Sequence, residues 1–123
     1  MVNFEVTAAA LQAWSSQHNL IEEAIAGAKI FLHNNEQDEA TIGLQPVFDY
    51  RQIIFEMDKQ SLVFQGSLPY PYVDTRIGLF LRNEDGVYYR GLEPVGHYRL
   101  ITAANGEAVD DYLIINEPYQ AKP

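Results

Sequence analysis

The sequence predicts an α+β fold in which two N-terminal helices pack on one curved, mostly antiparallel sheet of five to six strands. Three observations support this prediction. Hydrophobic residues recur every three or four positions in the N-terminal quarter, they recur every second position after residue 40, and turn-forming residues separate the later segments. Because 123 residues suit one core, we predict a single domain over residues 1–117 and a loose tail over 118–123.

Two helices are predicted before residue 34. The first runs from Phe4 to His18, with an apolar stripe at helical spacing that includes Leu11 and Trp14. The second spans about residues 20–33, where Asn19 is placed to cap the first amides and Glu22 to complete a capping box. Its core-facing side is formed by Ile21, Ala24, Ile25, Ala28 and Leu32.

The strands follow from alternation and turn chemistry. Pro46 limits the first one to an edge strand near Thr41–Gln45. A hairpin is predicted next, with Ile53–Met57 and Leu62–Gln65 joined by a turn at Asp58–Ser61. Later strands are expected at Thr75–Arg82, at Val87–Arg90 after a turn at Asn83–Gly86, and on both sides of the hairpin pair Asn105-Gly106, at Val95–Ala103 and Val109–Asn116.

The predicted core joins both helices to the best-defined strands. It comprises Leu11, Trp14, Ile21, Ile25, Leu32, Ile77, Leu79, Leu81, Tyr98 and Leu100.

Composition excludes several classes of function. The chain has no cysteine, which excludes disulfides, thiolate nucleophiles and Cys-based metal sites. Its 17 acidic and 8 basic residues give a net charge of −9, which opposes binding to nucleic acid and to anionic membranes. No apolar run is long enough to cross a bilayer, and no signal sequence is evident at the N-terminus. We therefore expect a cytoplasmic protein.

Arginine is concentrated in the predicted sheet, which makes one sheet face the first place to look for a site. Strand parity places Arg76 and Arg82 on one face, as it does His97 and Arg99, and a suitable register would combine them. The candidate ligand-binding residues are Arg76, Arg82, Tyr88, Arg90, His97 and Arg99. The favoured interpretation is that these arginines form cross-strand ion pairs with nearby acidic residues, and the alternative is a site for a small anion.

Other chemistry has little support in the sequence. The three histidines lie on different predicted elements without metal-ligand spacing, and the acidic pair Asp110-Asp111 is best explained as a partner of Arg99. Glycine-rich phosphate loops are absent, so no metal or cofactor is predicted.

We therefore expect a noncatalytic interaction or regulatory protein. Its contact surface would be the acidic exterior or a rigid aromatic loop formed by Pro69, Tyr70, Pro71 and Tyr72. The alternative is a domain or enzyme that binds a small anion on the arginine-rich sheet face. Neither the partner nor the oligomeric state follows from the sequence.

Overall fold

A computed structural model of the chain describes residues 4–37, 49–66 and 68–119. Helices α1 (Phe4–Gln17) and α2 (Leu20–Gln37) precede four strands: β1 (Ile54–Val63), β2 (Tyr72–Arg82), β3 (Leu92–Thr102) and β4 (Ala108–Ile115). The strands form one antiparallel sheet in the order β1-β2-β3-β4. The α+β class is confirmed, whereas the described sheet has four strands and not five to six. The edge strand predicted at Thr41–Gln45 lies outside the described residues.

The first predicted hairpin is wrong because Asp58–Ser61 does not turn. β1 continues through this segment, and a bulge between Met57 and Lys59 accommodates the extra residue in the pairing with β2. The side-chain amide of Gln60 donates hydrogen bonds to Ser15 Oγ (2.8 Å) and Thr75 Oγ1 (3.1 Å). These bonds tie the segment to α1 and β2 and keep it extended.

The strand predicted at Val87–Arg90 is also wrong. A short 3₁₀ helix, Tyr89–Gly91, replaces its end, with Arg90 at φ 57° and Gly91 at φ 68°. Two successive left-handed residues reverse the chain direction and are incompatible with an extended strand. β3 then begins at Leu92. The hairpin at Asn105-Gly106 is confirmed, since it joins β3 to β4 with Gly106 at φ 87°.

Both helices are confirmed, and α2 extends four residues beyond its predicted end. The role predicted for Asn19 changes. Asn19 adopts φ 52°, whereas a residue that caps a helix N-terminus with its side chain is normally extended. This left-handed residue terminates α1, while its carbonyl accepts a hydrogen bond from the Glu23 amide (2.9 Å). The two helices are therefore joined by a tight turn.

The core lies between α2 and the sheet. Leu20, Ala24, Ala28 and Leu32 of α2 have no exposed surface, so the helix presents a stripe of small and large apolar residues. Residues of β2, β3 and β4 pack against this stripe, together with the residue just before β1. They are Ile53, Ile77, Leu79, Val95, Tyr98, Leu100 and Ile115. Five of the ten predicted core residues are buried, whereas Leu11, Trp14, Ile21, Ile25 and Leu81 are partly buried. None of the described helices is long and apolar enough to span a bilayer.

Close packing of α2 on β3 depends on Gly27. A Cβ atom at this position would lie 2.5 Å from the Tyr98 hydroxyl oxygen. That hydroxyl donates a hydrogen bond to Asp111 Oδ2 (2.8 Å) on β4, which fixes its position. Burial, followed by the bond to Asp111, raises the pKa of Tyr98. Glycine thus lets α2 approach a buried tyrosine that joins two strands.

Just after the predicted domain boundary at residue 117, the chain still packs against the core. Tyr119, in the 3₁₀ helix Glu117–Tyr119, packs against the core. Its hydroxyl donates a short hydrogen bond to Glu93 Oε2, and Asn83 Nδ2 donates to Glu93 Oε1 (2.6 Å). The bond to Glu93, then burial, raises the pKa of Tyr119 to about 12. The chain is therefore anchored to the sheet as far as Tyr119.

Candidate functional site

The candidate site lies on the outer face of the sheet, the side opposite α1 and α2. Alternation along β2 turns Thr75, Ile77 and Leu79 into the core, so Asp74 and Arg76 point to the other side. The register carries this parity to the other strands. Across the sheet, the outer face carries Lys59, Asp74, Arg76, His97, Arg99, Tyr112 and Ile114.

One row of the outer face contains three basic side chains. Lys59 on β1 lies opposite Arg76 on β2, Arg76 lies opposite Arg99 on β3, and Arg99 lies opposite Tyr112 on β4. We call Lys59, Arg76, Arg99 and Tyr112 the basic row. Side chains directly opposite each other on neighbouring strands lie about 5 Å apart at Cβ, and like charges in that position destabilise the sheet. The row therefore has an electrostatic cost unless anions neutralise it.

Arg99 is neutralised by Asp74. Its Nε (3.0 Å) and Nη2 (2.7 Å) both donate to Asp74 Oδ2, and the two side chains are 31% and 13% exposed. The hydrogen bond and the charge of Asp74 raise the pKa of Arg99. The guanidinium carbon lies 5.3 Å from the centroid of the Tyr112 ring, whose hydroxyl donates to Asp110 Oδ2 (2.7 Å). Arg99 is therefore fixed on two sides.

Arg76 has no such partner. Its Nε is buried and makes no hydrogen bond, and no carboxylate among the described residues forms an ion pair with Arg76 or with Lys59. The nearby carboxylate, Asp74, accepts two hydrogen bonds from Arg99 at Oδ2, while its Oδ1 is buried and unbonded. The basic row thus has one fixed cation and two cations without a carboxylate.

His97 borders the basic row, two residues before Arg99 on β3. It lies opposite Gly78, over which the Phe80 ring packs: a Cβ at Gly78 would meet that ring at 2.5 Å. Partial burial, then the charges of Arg76 and Arg99, lower the pKa of His97, although Asp58 and Asp74 oppose this. The lowered pKa of His97 favours the neutral imidazole, which adds hydrogen-bonding capacity without charge.

The structure separates the other predicted site residues from the row. Arg82 pairs with Glu84 (3.5 Å), and Arg90 pairs with Glu56 (3.2 Å), whose side chain is 37% exposed. Glu84 follows Arg82 by two residues and Arg90 lies in the connection before β3, so neither pair joins two neighbouring strands. Tyr88 lies in the loop before β3 and interacts with Tyr119. Of the six candidates, Arg76, His97 and Arg99 come together, and Lys59, Asp74 and Tyr112 join them.

A cavity of about 340 Å³ adjoins Arg99. Its walls combine the predicted aromatic loop with β3 and β4, and they are formed by Leu68, Tyr72, Arg99, Ile101, Asp110 and Tyr112. Within that loop Pro69, Tyr70 and Pro71 are exposed, whereas Tyr72 begins β2 and is 7% exposed. The loop therefore supplies part of a cavity wall as well as exposed side chains.

Comparison with protein-family models, curated proteins and solved structures found no match to this chain. The outer face offers a half-buried guanidinium without a partner, an exposed ammonium and a neutral imidazole, together with the exposed apolar side chain of Ile114 opposite His97. Among the described residues no three His, Asp or Glu side chains are grouped as metal ligands. This combination is suited to binding an anionic group beside an apolar one.

Proposed function

We propose that this chain is a noncatalytic interaction protein whose outer sheet face docks an acidic segment of a partner protein. The observation that carries the proposal is the half-buried Arg76, which lies between Lys59 and Arg99 and has no carboxylate of its own. An isolated cation in a partly buried position gains more from an incoming carboxylate than a fully solvated one does. The cytoplasmic location of the protein stays a prediction from the sequence.

Exposed apolar side chains on β4, at the end of the row, favour a protein partner. Tyr112 and Ile114 are 39% and 46% exposed, and both lie on the outer face of β4. Ile54, the first residue of β1, lies opposite Phe80 near the end of β2. Apolar and aromatic contacts at the centre of an interface with charged groups beside them are typical of protein docking surfaces.

The net charge of −9 restricts how such a partner binds. At physiological salt, charge effects fall off over a Debye length of about 8 Å. The acidic exterior therefore repels an acidic partner in general, whereas the basic row attracts it at contact. This contrast between surface and site directs a partner's carboxylates to the outer face.

The cavity beside Arg99 favours a second candidate, the binding of a small anion. Its volume of about 340 Å³ falls at the lower end of the range for small-molecule pockets, and Arg99 lies on its wall. However, Arg99 is already bound to Asp74, and Asp110 contributes a further carboxylate to the lining. The cavity is thus less attractive to an anion than the region around Arg76.

A site-specific photo-cross-link tests the proposed function. Benzoylphenylalanine is introduced at Tyr112 on the outer face, and at Val109 as the control, since Val109 lines a cavity on the helix side of the sheet and is similarly exposed. We expect a protein adduct from position 112 in cells, reduced by Arg76→Glu and retained with Arg82→Glu. Adducts that form equally from both positions, or that are insensitive to Arg76→Glu, would contradict the proposal.

A further inference from the structure

We infer that Arg76 and Lys59 form an oxyanion site that takes a carboxylate of the docked segment. This inference rests on the proposed function, because it names the group that the outer face recognises. It adds a specific site, a specific ligand chemistry and a role for Lys59, which belongs to none of the sites predicted from the sequence.

The neighbouring ion pair shows how a carboxylate binds on this face. Arg99 donates from Nε and Nη2 to one oxygen of Asp74, so its guanidinium edge lies against the carboxylate. Arg76 lies directly opposite Arg99 and has the same donors, and its Nε is buried without an acceptor. A carboxylate beside Arg76 would supply the acceptor that Asp74 supplies to Arg99.

Asp74 binds Arg99 and makes no hydrogen bond to Arg76. Its Oδ2 already accepts two hydrogen bonds from Arg99, and its Oδ1 is buried without any donor, Arg76 included. The carboxylates bonded to the row are Asp74, on Arg99, and Asp110, on the Tyr112 hydroxyl, so neither one is bonded to Arg76 or Lys59. An external carboxylate reduces the repulsion between opposite cations and satisfies a buried donor at the same time.

Lys59 extends the site toward the edge of the sheet. The bulge after Met57 changes the parity of β1, which places Lys59 opposite Arg76 on the outer face. Its side chain is exposed and has no ion pair among the described residues. A flexible ammonium beside a half-buried guanidinium gives a carboxylate donors of two kinds, a planar guanidinium and an adaptable ammonium.

The surroundings favour a carboxylate on a peptide over a free anion. Tyr112 and Ile114 lie on β4, on the far side of Arg99 and His97 from Arg76, and are partly exposed. A peptide that contains acidic and apolar residues and spans the outer face from β1 to β4 can place a carboxylate at Arg76 and Lys59 and an apolar side chain beside Tyr112 or Ile114. Acetate and phosphate have the oxyanion without the apolar contact.

The experiment is an NMR titration of the ¹⁵N-labelled full chain with three probes at constant ionic strength. The probes are sodium acetate, inorganic phosphate and the peptide acetyl-Glu-Leu-Glu-Leu-Glu-amide. We compare wild type with Arg76→Gln, Lys59→Gln and the control Arg82→Gln, which removes an exposed arginine of the same strand that is paired with Glu84. The spectra also report whether each variant is folded, and Lys59→Gln tests the site if Arg76→Gln does not fold.

We expect the peptide to shift the amide signals around the basic row and to bind more tightly than acetate or phosphate. Loss of one charged contact worth about 1 kcal/mol corresponds to about a fivefold weaker affinity for Arg76→Gln, with a smaller loss for Lys59→Gln. Arg82→Gln is expected to bind as wild type.

Three results would overturn the oxyanion site: no shift at the basic row with any probe, equal weakening by Arg76→Gln and Arg82→Gln, or tighter binding of acetate or phosphate than of the peptide. Failure of the docking face itself is distinguishable, because it removes the photo-cross-link from position 112. A cross-link that persists while Arg76→Gln binds the peptide normally would contradict the oxyanion site and leave the docking face intact.

Discussion

Arg76 and Arg99 lie directly opposite each other on β2 and β3, but only Arg99 is bound to a carboxylate. The pair therefore contains two like charges at the shortest cross-strand separation, one compensated by Asp74 and the other not. The two arginines differ because Asp74 accepts both hydrogen bonds of Arg99 at one oxygen, Oδ2, and its other oxygen, Oδ1, is unbonded.

Loss of the Arg99 guanidinium should be costly. Arg99→Met leaves the Asp74 carboxylate, 13% exposed, without its hydrogen-bond donors, and we expect a decrease of about 1.5–3 kcal/mol in the free energy of unfolding. Arg82→Met breaks a pair that is 66% and 77% exposed and should change it by less than about 0.5 kcal/mol. Urea unfolding measures the free energy of unfolding of both variants. Equal losses would show that the Arg99–Asp74 pair stabilises the fold no more than the exposed Arg82–Glu84 pair does.

Gly27 should be required for the approach of α2 to β3. Gly27→Ala improves helix propensity by about 1 kcal/mol. The new methyl group would nevertheless lie 2.5 Å from the Tyr98 hydroxyl, and overpacking of this kind typically costs 1–3 kcal/mol. We expect a net loss of stability that becomes smaller in a Tyr98→Phe background, where the hydroxyl is absent. Strict additivity of the two substitutions in a double-mutant cycle would contradict this contact.

His97 should titrate below its ordinary pKa of 6.5. Partial burial and the charges of Arg76 and Arg99 lower the pKa of His97, so Arg76→Gln should raise it and Arg82→Gln should leave it unchanged. The imidazole Cε1–H signal followed by NMR gives these values. An unchanged His97 pKa in Arg76→Gln would place Arg76 too far away to act.

The same shift predicts how stability depends on pH. Because the pKa of His97 is lower in the folded than in the unfolded protein, the unfolded state binds more protons below about pH 6.5. The stability that the neutral His97 contributes is present above the pKa of His97 in the unfolded protein. It is lost as the pH falls through the pKa of His97 in the folded protein. His97→Gln should therefore weaken the loss of stability on acidification, measured by thermal unfolding between pH 7 and pH 5.

Tyr119 should control the ionisation of Glu93. Its hydrogen bond, followed by that of Asn83, lowers the pKa of Glu93, so Tyr119→Phe should raise this pKa. Tyr112→Phe removes a hydroxyl that binds Asp110 and serves as the control, with no expected effect on Glu93. Carboxyl ¹³C signals measure the titration, and a Glu93 pKa that is insensitive to Tyr119→Phe would disagree with the observed contact.

Local patterns in the sequence predict much of the fold. The helical spacing before residue 34 and the alternation in Thr75–Arg82 correspond to α1, α2 and β2, because these periods follow directly from backbone geometry. Asp58–Ser61 has turn-forming residues, yet the side chain of Gln60 binds Ser15 and Thr75, which are distant in sequence. A tertiary contact of this kind overrides local preference and has no local signal.

In the site, too, some features follow from local sequence patterns and others depend on tertiary structure. Parity predicts that His97 and Arg99 share a face, but the pairing of Arg76 with Arg99 depends on register, which parity leaves open. Lys59 is missed because its segment is predicted as a turn, and a bulge then sets its direction. Arg90 is misplaced because its left-handed conformation belongs to a turn and not to a strand.

The most direct test of the central claim is the Nε–H signal of Arg76, observed by NMR in the full chain as the peptide acetyl-Glu-Leu-Glu-Leu-Glu-amide is added. In the free protein this Nε is buried without an acceptor. Binding of a carboxylate is predicted to shift the Arg76 signal downfield and to slow its hydrogen exchange, while the signal of Arg82 stays in place. A bound peptide that moves other signals and leaves the Arg76 Nε–H signal unchanged would contradict the claim that Arg76 is the recognition group of the outer face.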